Sequence, residues 1–272
     1  MTFATITDVN QWKYLLPNIL VLEGFKRPYN YYIYGNNRYV SLQLINAIKS
    51  LNIVYGTVRV DTVPTFFNAF NIKPVTTNHV WITATTMDRF VLPLFTDLKK
   101  FLWLDCDTLI TSEEIFNLEN IETSDKGIAA VSTDTNLDDH IVYFSKADYL
   151  MDLAKENSST FNAGVCLIDC EKLRSNNYVD FIDNVYERSQ GAYVNDEVIL
   201  NLYDQTYNLL PLQYNCMTHK SFEIKNPYIV HFSGKDYKPW VDYIYKKGAY
   251  LKHYKLWEYY YLSLDDYASR QV

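Results

Sequence analysis

β-prone runs and helical runs alternate along the first quarter of the chain, and this alternation limits the fold more than any other feature. The β-prone runs are FATIT at 3–7, YNYYIYG at 29–35 and IVYGTVRVDTV at 53–63. Between them, PNILVLEGFK at 17–26 carries Pro in its first turn, and SLQLINAIKSL at 41–51 repeats apolar residues at helical spacing. This order predicts an α/β fold with a mainly parallel sheet flanked by helices, and with ligands beyond the carboxyl ends of the strands.

The same pattern continues through the rest of the chain. A helix is predicted over 83–98, and the apolar run FLWL at 101–104 predicts a buried strand. Further strands are predicted over 127–134, 161–170 and 227–234. The polar segment DTNLDDH at 134–140 is predicted to be a mobile loop, and the aromatic stretch at 255–272 is predicted to be a helix packed on the body of the protein or on a second subunit.

Two acidic residues stand directly after the strand at 101–104, where Asp105 and Asp107 flank Cys106. Like charges this close repel each other, so a cation is expected beside them. Successive residues of a strand point to opposite faces, and side chains at positions i and i+2 therefore project the same way. We expect both carboxylates to face one divalent ion at the end of this strand.

Composition narrows the class of protein. The 272 residues are 48% hydrophobic, enough for one large core, so a single domain over 1–272 is expected. The net charge of −7 comes from charges of mixed sign, which argues against nucleic acid as a partner because phosphate backbones select clustered Lys and Arg. The four cysteines follow neither disulfide-scaffold nor zinc spacing, so free thiols are expected. The chain shows no secretory leader and no run long enough to span a bilayer, so we expect a cytoplasmic protein without a membrane span.

Four segments follow one another in a recognisable order. They are LWLDCDTLI at 102–110, FNAGVCLI at 161–168, NDEVILN at 195–201 and HFSGKDYKPW at 231–240. In order and spacing they resemble the signature blocks of family 8 glycosyltransferases, the group that contains glycogenin and bacterial galactosyltransferases of lipooligosaccharide synthesis. A lone DxD is a weak signal, whereas four ordered blocks are specific. The resemblance covers most of the chain and implies a GT-A fold, a Rossmann-like α/β domain that binds a nucleotide-diphospho-sugar.

The resemblance also implies the reaction, which is the metal-dependent, retaining transfer of a hexose from a UDP-sugar to a hydroxyl of a glycan or a protein. UDP-glucose and UDP-galactose are the donors expected. Asp105, Asp107 and His231 are implied as ligands of Mn²⁺, with Mg²⁺ as the other candidate ion. A hard divalent ion on the diphosphate stabilises the charge that develops as the glycosidic bond breaks, and carboxylates with an imidazole suit Mn²⁺. For His231 the alternative is a core histidine bonded to a backbone carbonyl.

The donor-binding residues implied by the resemblance lie in several segments. Gly234 lets the backbone approach the diphosphate, and Lys238 neutralises it as a point charge. Arg89 fits the family's donor-contacting arginine, with a surface salt bridge as the alternative. Further donor contacts are expected from Thr5, Thr7, Asp8, Asp105, Cys106, Asp107, Asn162, Ala163 and Gly164. For stacking on uracil the sequence offers either Trp12 or Tyr14.

The catalytic residues implied are Asp134, Asp196 and Glu197. Glu197 departs from the family pattern, in which Gln usually follows the Asp. A carboxylate at this place acts either as a nucleophile in a double displacement or as a stabiliser of an oxocarbenium-like state during front-face attack, and we favour the front-face interpretation. In that interpretation an oxygen of the leaving diphosphate takes the proton of the acceptor hydroxyl.

Within the single domain, the resemblance assigns 1–134 to the nucleotide and the DxD acids, 135–240 to the sugar and acceptor, and 241–272 to an aromatic helical tail through which a homodimer is conceivable. Two other functions stay open at this point. Haloacid-dehalogenase-like phosphatases also carry aspartates two apart after an apolar strand, although their motif normally lies near the start of the catalytic domain. The non-enzyme alternative is a catalytically inactive sugar-nucleotide-binding scaffold on the same fold.

Overall fold

A computed structural model describes residues 1–8, 11–35, 38–71, 84–145, 148–155, 158–189, 194–220, 224–240 and 250–269. Its strands are β1 (Thr2–Thr7), β2 (Tyr29–Gly35), β3 (Gly56–Thr62), β4 (Lys100–Leu104), β5 (Thr108–Ile110), β6 (Ile128–Asn136), β7 (Ser159–Asp169), β8 (Asn208–Leu209), β9 (Cys216–Met217) and β10 (Ile229–His231). Its α-helices are α1 (Leu16–Gly24), α2 (Arg38–Ser50), α3 (Phe66–Ala69), α4 (Leu92–Phe95), α5 (Leu137–Ser145), α6 (Cys170–Ser175), α7 (Tyr178–Ser189), α8 (Asp196–Tyr203) and α9 (Leu251–Ser269). Short 3-10 helices lie at Trp12–Leu15, Ala84–Val91, Glu113–Asn120, Asp148–Leu153, Leu212–Tyr214 and Lys235–Tyr237.

The strands in the described part of the chain form two sheets. The larger sheet has seven strands in the order β3-β2-β1-β4-β7-β6-β8, and the smaller has three in the order β5-β10-β9. In the larger sheet, β2 runs parallel to β1 and to β3, and β8 runs parallel to β6, whereas β6 and β7 are antiparallel. In the smaller sheet, β10 is parallel to β9 and antiparallel to β5. The predicted α/β fold with a mainly parallel central sheet is therefore confirmed.

The chain folds as two compact units, each built from non-contiguous segments. The first unit comprises Met1–Thr62, Trp103–Asn120 and Pro211–Val272, and the second comprises Val63–Leu102 and Ile121–Leu210. The single domain over 1–272, with its subdivisions near 134 and 240, stays a prediction. No helix in the described residues combines the length and the apolar character that a membrane crossing needs.

In the first unit, a buried asparagine joins α1 to β5. Pro17 stands in the first turn of α1, where an N–H has no helical partner. The neighbouring Asn18 donates from Nδ2 to the Thr108 carbonyl (3.0 Å) and accepts at Oδ1 from the Ile110 N–H (2.8 Å). Because Asn18 is fully buried, both of its polar groups need these partners. The bonds fix the position of β5 and of the turn that precedes it.

In the second unit, α8 is fixed to β7 by a second asparagine. Asn201 accepts from the Phe161 N–H (2.8 Å) and donates to the Phe161 carbonyl (2.9 Å). At the start of α8, Asn195 caps the helix by accepting from the Glu197 N–H (2.7 Å). These bonds hold the first turn of α8, which carries Asp196 and Glu197, in a defined place beside β7.

The segment predicted as a mobile loop at 134–140 is instead regular structure, so this prediction is wrong. Strand β6 continues to Asn136, and α5 begins at the next residue. Asp138 and Asp139 lie in the first turn of α5, where the positive end of the helix dipole stabilises acidic side chains. The polar character of the segment therefore marks the start of a helix.

The helix predicted over 83–98 is shorter and divided. A 3-10 helix covers Ala84–Val91 and leads into α4, whose first turn contains Pro93. Proline cannot donate the backbone hydrogen bond that would continue one α-helix through this point. Thr83 lies outside the described residues. The aromatic tail expected over 241–272 is helical as α9, while 241–249 and 270–272 lie outside the described part.

Candidate active site

The two aspartates after β4 lie in a turn. Strand β4 ends at Leu104, and the Asp105 carbonyl then accepts from both the backbone N–H (3.2 Å) and the Oγ1 hydroxyl (2.8 Å) of Thr108. The Asp105 carboxylate accepts from the indole N–H of Trp103 (2.7 Å). The strand pleat was therefore the wrong reason for placing Asp105 and Asp107 together, because the turn after the strand brings them to the same place.

Cys106, between the two acids, packs against the end of β1. Its thiol donates to the Ile6 carbonyl (3.5 Å) and lies 3.9 Å from Thr5 Oγ1. Burial raises the pKa of the Cys106 thiol to about 12, so this side chain is neutral and acts as a packing group. The contacts of Cys106 thus hold the turn against β1.

Three of the predicted donor-binding residues, Thr5, Thr7 and Asp8, lie at the carboxyl end of β1 or directly after it. Thr5 and Thr7 are both 1% exposed, and the Thr7 hydroxyl donates to the Asp8 carbonyl (3.4 Å). The Asp8 carboxylate accepts from the Gln11 N–H (3.0 Å), which starts the following 3-10 helix. The assignment of these residues, and of Cys106, to the donor stays a prediction.

His231 reaches the acidic turn through sheet register. It is the last residue of β10 and is paired with Thr108 of β5, and the Phe232 N–H donates to the Asp107 carbonyl (2.9 Å). His231 Nδ1 donates to Asn215 Oδ1 (3.1 Å), because an amide oxygen can only accept. The other ring nitrogen, Nε2, lies 3.5 Å from Asp107 Oδ1. The alternative of a core histidine bonded to a backbone carbonyl does not describe these contacts.

Asp105, Asp107 and His231 together have the composition of a divalent metal site. One ligand atom from each residue lies within 4.8 Å of the ligand atoms of the other two. Carboxylates and a neutral imidazole are ligands for first-row divalent ions, and an imidazole whose second nitrogen is held by a hydrogen bond is typical of metal-binding histidines. The residues present therefore fit the predicted ion.

Lys238 adds a cation to this cluster. Its ammonium group contacts Asp107 Oδ2. Burial alone would raise the pKa of Asp107, but Lys238 and His231 outweigh it and hold that pKa well below its usual range. The carboxylate is therefore ionised at neutral pH.

Gly234 lies between His231 and Lys238 and has a conformation that favours glycine. Its φ is +86°, in the left-handed region. A Cβ at this position would lie 3.2 Å from Tyr237 Cδ2 and 3.7 Å from His219 Cβ. The exposed backbone at Gly234 is consequently open to a close approach from outside.

A second polar cluster lies in the second unit around Glu197. One oxygen of its carboxylate, Oε2, accepts from Asn162 Nδ2 (2.8 Å) and from the Ala163 N–H (3.0 Å). The other oxygen, Oε1, lies 3.2 Å from His140 Nε2. Burial raises the pKa of Glu197. His140, the Ala163 N–H and Arg89 lower this pKa by more than burial raises it, so the net shift is downward. One carboxylate oxygen thus accepts two hydrogen bonds, and the other lies beside the imidazole of His140.

Arg89 and Asp196 form a buried ion pair in this second cluster. Arg89 Nη2 lies 3.0 Å from Asp196 Oδ2, and Nη1 donates to the Ala163 carbonyl (2.8 Å). Arg89 is 6% exposed, so the alternative of a surface salt bridge is wrong. Gly164 completes the local network by donating its N–H to Asn162 Oδ1 (3.1 Å).

Asp134 stands apart from this network in an uncommon backbone conformation. Its φ is +59°, and its N–H donates to Ser132 Oγ (3.1 Å) at an irregularity in the pairing of β6 with β7. A non-glycine residue in the left-handed region is disfavoured, and such residues concentrate at functional sites. The Asp134 side chain is exposed at this bend.

Comparison with known proteins identifies the family. The model of glycosyl transferase family 8 matches residues 26–243, which is most of the chain. This chain belongs to glycosyl transferase family 8. General stress protein A of Bacillus subtilis (strain 168) is 29% identical over 184 residues, 58% of this chain and 60% of that protein. The probable glycosyl transferase Gly of Streptococcus gordonii is 26% identical over 60% of this chain and 22% of its own length, so less than two thirds of either relative is spanned.

Solved structures confirm the fold expected of family 8. The galactosyltransferase LgtC, in complex with donor and acceptor sugar analogs, superimposes with a TM-score of 0.72 at 18% identity, over 97% of this chain and 96% of LgtC. The glycosyltransferase GlyE of Streptococcus pneumoniae TIGR4 gives a TM-score of 0.61 at 18% identity, over 100% of this chain and 64% of GlyE. At this level of identity the likeness establishes the GT-A fold alone.

Within this family 8 fold, sequence reasoning missed two residues that hold predicted site residues in place. Asn215 orients the ring of His231, and His140 lies beside Glu197. His140 falls in the segment interpreted as a loop. A helix start at Leu137 would have placed His140 and Ile141 on the buried face of a first turn, and both residues are buried. For Asn215 the sequence offers no comparable local pattern.

Proposed function

We propose that this chain is a metal-dependent, retaining hexosyltransferase that moves a sugar from a UDP-sugar to a hydroxyl of a glycan or a protein. The observation that carries the proposal is the convergence of Asp105, Asp107 and His231 in a chain of glycosyl transferase family 8. A cluster of two carboxylates and one oriented imidazole is suited to a divalent ion on a diphosphate. UDP-glucose and UDP-galactose are the proposed donors.

In this proposal, the cluster around Asp107 binds the diphosphate. Asp105, Asp107 and His231 hold Mn²⁺ or Mg²⁺, which when bound supplies positive charge against the leaving diphosphate. Lys238 supplies a second positive charge, and Gly234 presents backbone at a point where a side chain would stand in the way. No proton transfer is needed from these residues, because their task is to stabilise charge.

For the uridine ring, the structure favours Trp12 over Tyr14 as the stacking partner. The Tyr14 ring is stacked on Trp240, with centroids 3.8 Å apart and planes inclined by 6°. The ring centroids of Trp257 and Tyr261 lie 6.1 and 6.0 Å from that of Tyr14. Tyr14 and Trp240 therefore belong to an aromatic packing cluster. We assign the base to Trp12, one turn after Asp8, together with Thr5, Thr7 and Asp8.

A separate set of polar residues is assigned to the donor sugar. Arg89 and Asp196, Asn162 with Ala163 and Gly164, and Asp134 are the polar groups proposed to contact its hydroxyls. The Arg89–Asp196 ion pair is buried, so each partner holds the other in one orientation. The strained backbone of Asp134 is of the kind found at binding sites.

Glu197 is better suited to stabilise positive charge than to attack the sugar. Its two oxygens already face Asn162, Ala163 and His140, and these contacts reduce the nucleophilicity of the carboxylate and fix its direction. We therefore propose front-face transfer, in which Glu197 stabilises the oxocarbenium-like state. The bond from the anomeric carbon to the diphosphate breaks, the acceptor oxygen bonds to the same face, and the diphosphate oxygen receives the acceptor's proton.

A donor screen tests this function. Wild-type protein with Mn²⁺ is incubated with individual UDP-sugars and glycan acceptors, and free UDP and the mass of both protein and acceptor are measured. We expect Mn²⁺-dependent UDP release with one hexose added to an acceptor, and loss of both in an Asp107→Asn variant. Tight UDP binding without turnover for any donor would support the inactive scaffold. Phosphate release from a simple monoester without a sugar nucleotide would support the phosphatase alternative.

The acceptor is proposed to be a hydroxyl of a glycan or of a protein. A hydroxyl on a glycan and a hydroxyl on a protein, including this chain itself, are both compatible with the same donor chemistry. The mass measurement on the protein separates self-modification from transfer to an added glycan. A homodimer through the aromatic tail stays a prediction.

A further inference from the structure

The parallel strands β9 and β10 end side by side and lead into two short segments. In their register, Val230 is paired with Cys216 and His231 with Met217. His219 and Ser233 each lie two residues beyond the end of their strand. The side chains meet there, with His219 Nδ1 2.6 Å from Ser233 Oγ.

This pair belongs to the edge of the small sheet that also carries the metal-site histidine. His231 ends β10, and the chain then passes through Ser233 and Gly234 to Lys238, whose ammonium contacts Asp107. Ligands of α/β proteins collect beyond the carboxyl ends of parallel strands. His219 therefore lies on the side of the sheet where the proposed function places the diphosphate.

The hydrogen bond with Ser233 engages the Nδ1 nitrogen of His219. Ser233 is buried, at 6% exposure, whereas His219 is exposed. When the Ser233 hydroxyl donates to Nδ1, the imidazole carries its proton on Nε2, which becomes a directed N–H donor. A protonated ring presents the same Nε2–H with a positive charge.

Gly234 leaves space next to this donor. A Cβ on Gly234 would lie 3.7 Å from the Cβ of His219 on one side and 3.2 Å from the Tyr237 ring on the other. The residue between the two side chains is thus bare backbone with a left-handed φ of +86°. An N–H donor beside exposed backbone is a common arrangement for binding phosphate oxygens.

We propose that His219 is a phosphate-binding residue that donates its Nε2–H to the donor's diphosphate, and that Ser233 is a positioning residue that fixes the tautomer and orientation of His219. This inference rests on the proposed function, since it assumes that a nucleoside diphosphate binds at this edge. It adds to the predicted site a side chain that none of the four sequence blocks contains.

Binding of uridine, UMP and UDP, each measured by calorimetry in the presence of Mn²⁺, tests the role of His219. The three ligands share the base and ribose and differ only in phosphate. We expect His219→Ala to weaken UDP binding about tenfold, as the loss of a hydrogen bond to a charged group implies, and to leave uridine binding unchanged. The exposed Lys225→Ala variant is the control for loss of a surface positive charge and should bind all three ligands like the wild type.

Conservative variants distinguish the contribution of Nε2 of His219 from that of Nδ1. His219→Gln retains an amide donor near the place of Nε2 and should recover most of the UDP affinity, whereas His219→Asn retains a group only near Nδ1 and should not. Ser233→Ala should weaken UDP binding by about threefold, and Ser233→Thr, which keeps the hydroxyl, should restore it. A residue with a merely structural role would not show this difference between Gln and Asn.

Each outcome bears on the proposal. Wild-type UDP affinity in His219→Ala, or an equal loss for uridine and UDP, overturns the role of His219 while leaving the proposed function intact. Wild-type protein that binds UDP no more tightly than uridine overturns both. Loss that appears only with the phosphate-bearing ligands, and is recovered by Gln, supports the assignment.

Discussion

The ammonium group of Lys238 contacts one oxygen of the Asp107 carboxylate, while the other oxygen lies 3.5 Å from His231 Nε2. A proposed metal ligand is thus already neutralised by a cation of its own chain. A divalent ion that binds this carboxylate must compete with Lys238 or displace it. Displacement would release the ammonium group for the phosphates of the donor.

Replacing Lys238 with Met should therefore have opposite effects on the ion and on the nucleotide. Lys238→Met removes a positive charge in direct contact with Asp107, so Mn²⁺ affinity without nucleotide should rise about tenfold. Affinity for UDP in saturating Mn²⁺ should fall, because a charge that neutralises phosphate is lost. Free Mn²⁺ is measured by electron paramagnetic resonance, and exposed Lys225→Met serves as the matched control. Unchanged or weaker Mn²⁺ binding in Lys238→Met would show that the ammonium does not compete with the ion.

Glu197 gives a kinetic prediction. Its Oε2 accepts two N–H groups and its Oε1 faces His140, and a glutamine can satisfy the same neighbours with one carbonyl and one amide. We expect Glu197→Gln to fold normally and to lose less than about a thousandfold in kcat, which is the range for an electrostatic contribution. The rate is measured as UDP release with the donor found in the screen. A larger loss with an unchanged thermal unfolding temperature would favour Glu197 as a nucleophile.

The same variant gives a prediction for stability as a function of pH. His140 on α5, Arg89 on the 3-10 helix before α4 and the Ala163 N–H on β7 face Glu197. Asp196, the ion-pair partner of Arg89, precedes Glu197 in the chain. Burial raises the pKa of Glu197, but these partners hold it below its usual value. A depressed pKa in the folded state means that the stabilisation is complete above the unfolded-state pKa and is lost as pH falls through the folded-state pKa.

Wild type should therefore exceed Glu197→Gln in free energy of unfolding by about 1–2 kcal/mol near neutral pH. The difference should stay constant down to about pH 4.3 and should shrink only at lower pH. Urea unfolding at a series of pH values measures it, with the exposed Glu258→Gln as control. A difference that already disappears between pH 7 and pH 5 would mean that the pKa of Glu197 is raised in the folded protein.

Much of the fold was accessible from sequence because its signals are local. The runs at 3–7, 29–35 and 101–104 alternate with periodic helical stretches, and each is a strand whose ends lie within one residue of the predicted limits. The metal cluster was accessible for a different reason. Its two acids are only two residues apart in the chain, and His231 lies at the end of an apolar strand in a specific block.

The residues that sequence did not reveal depend on long-range partners. His140 comes close to Glu197 only because α5 packs beside α8. Asn215 reaches His231 only because the segment before β9 lies beside β10. Neither residue has a local pattern that indicates its partner. The turn at Asp105 illustrates a related limit, because the sequence predicted the meeting of two carboxylates correctly but not the backbone geometry that produces it.

The aromatic cluster of the first unit provides a prediction that separates base binding from packing. Trp12 begins the 3-10 helix after Asp8 and donates its backbone N–H to the Asp8 carbonyl (3.3 Å), whereas Tyr14 is stacked on Trp240. Trp12→Ala should weaken uridine binding about tenfold, since stacking of a base on an aromatic ring contributes about 1–3 kcal/mol. Trp240→Ala should leave uridine binding unchanged and should lower the free energy of unfolding by about 2 kcal/mol through loss of packing.

Calorimetry with uridine and thermal unfolding of the same variants check both halves of this prediction. Tyr14→Phe is the matched control, because it keeps the ring that stacks on Trp240 and should behave like the wild type in both measurements. If Trp240→Ala lost uridine affinity while Trp12→Ala retained it, the base would have to be assigned to the cluster of Tyr14 and Trp240. Because uridine lacks phosphate, its affinity reports on the base-binding residues and is independent of the charges at Lys238 and Asp107.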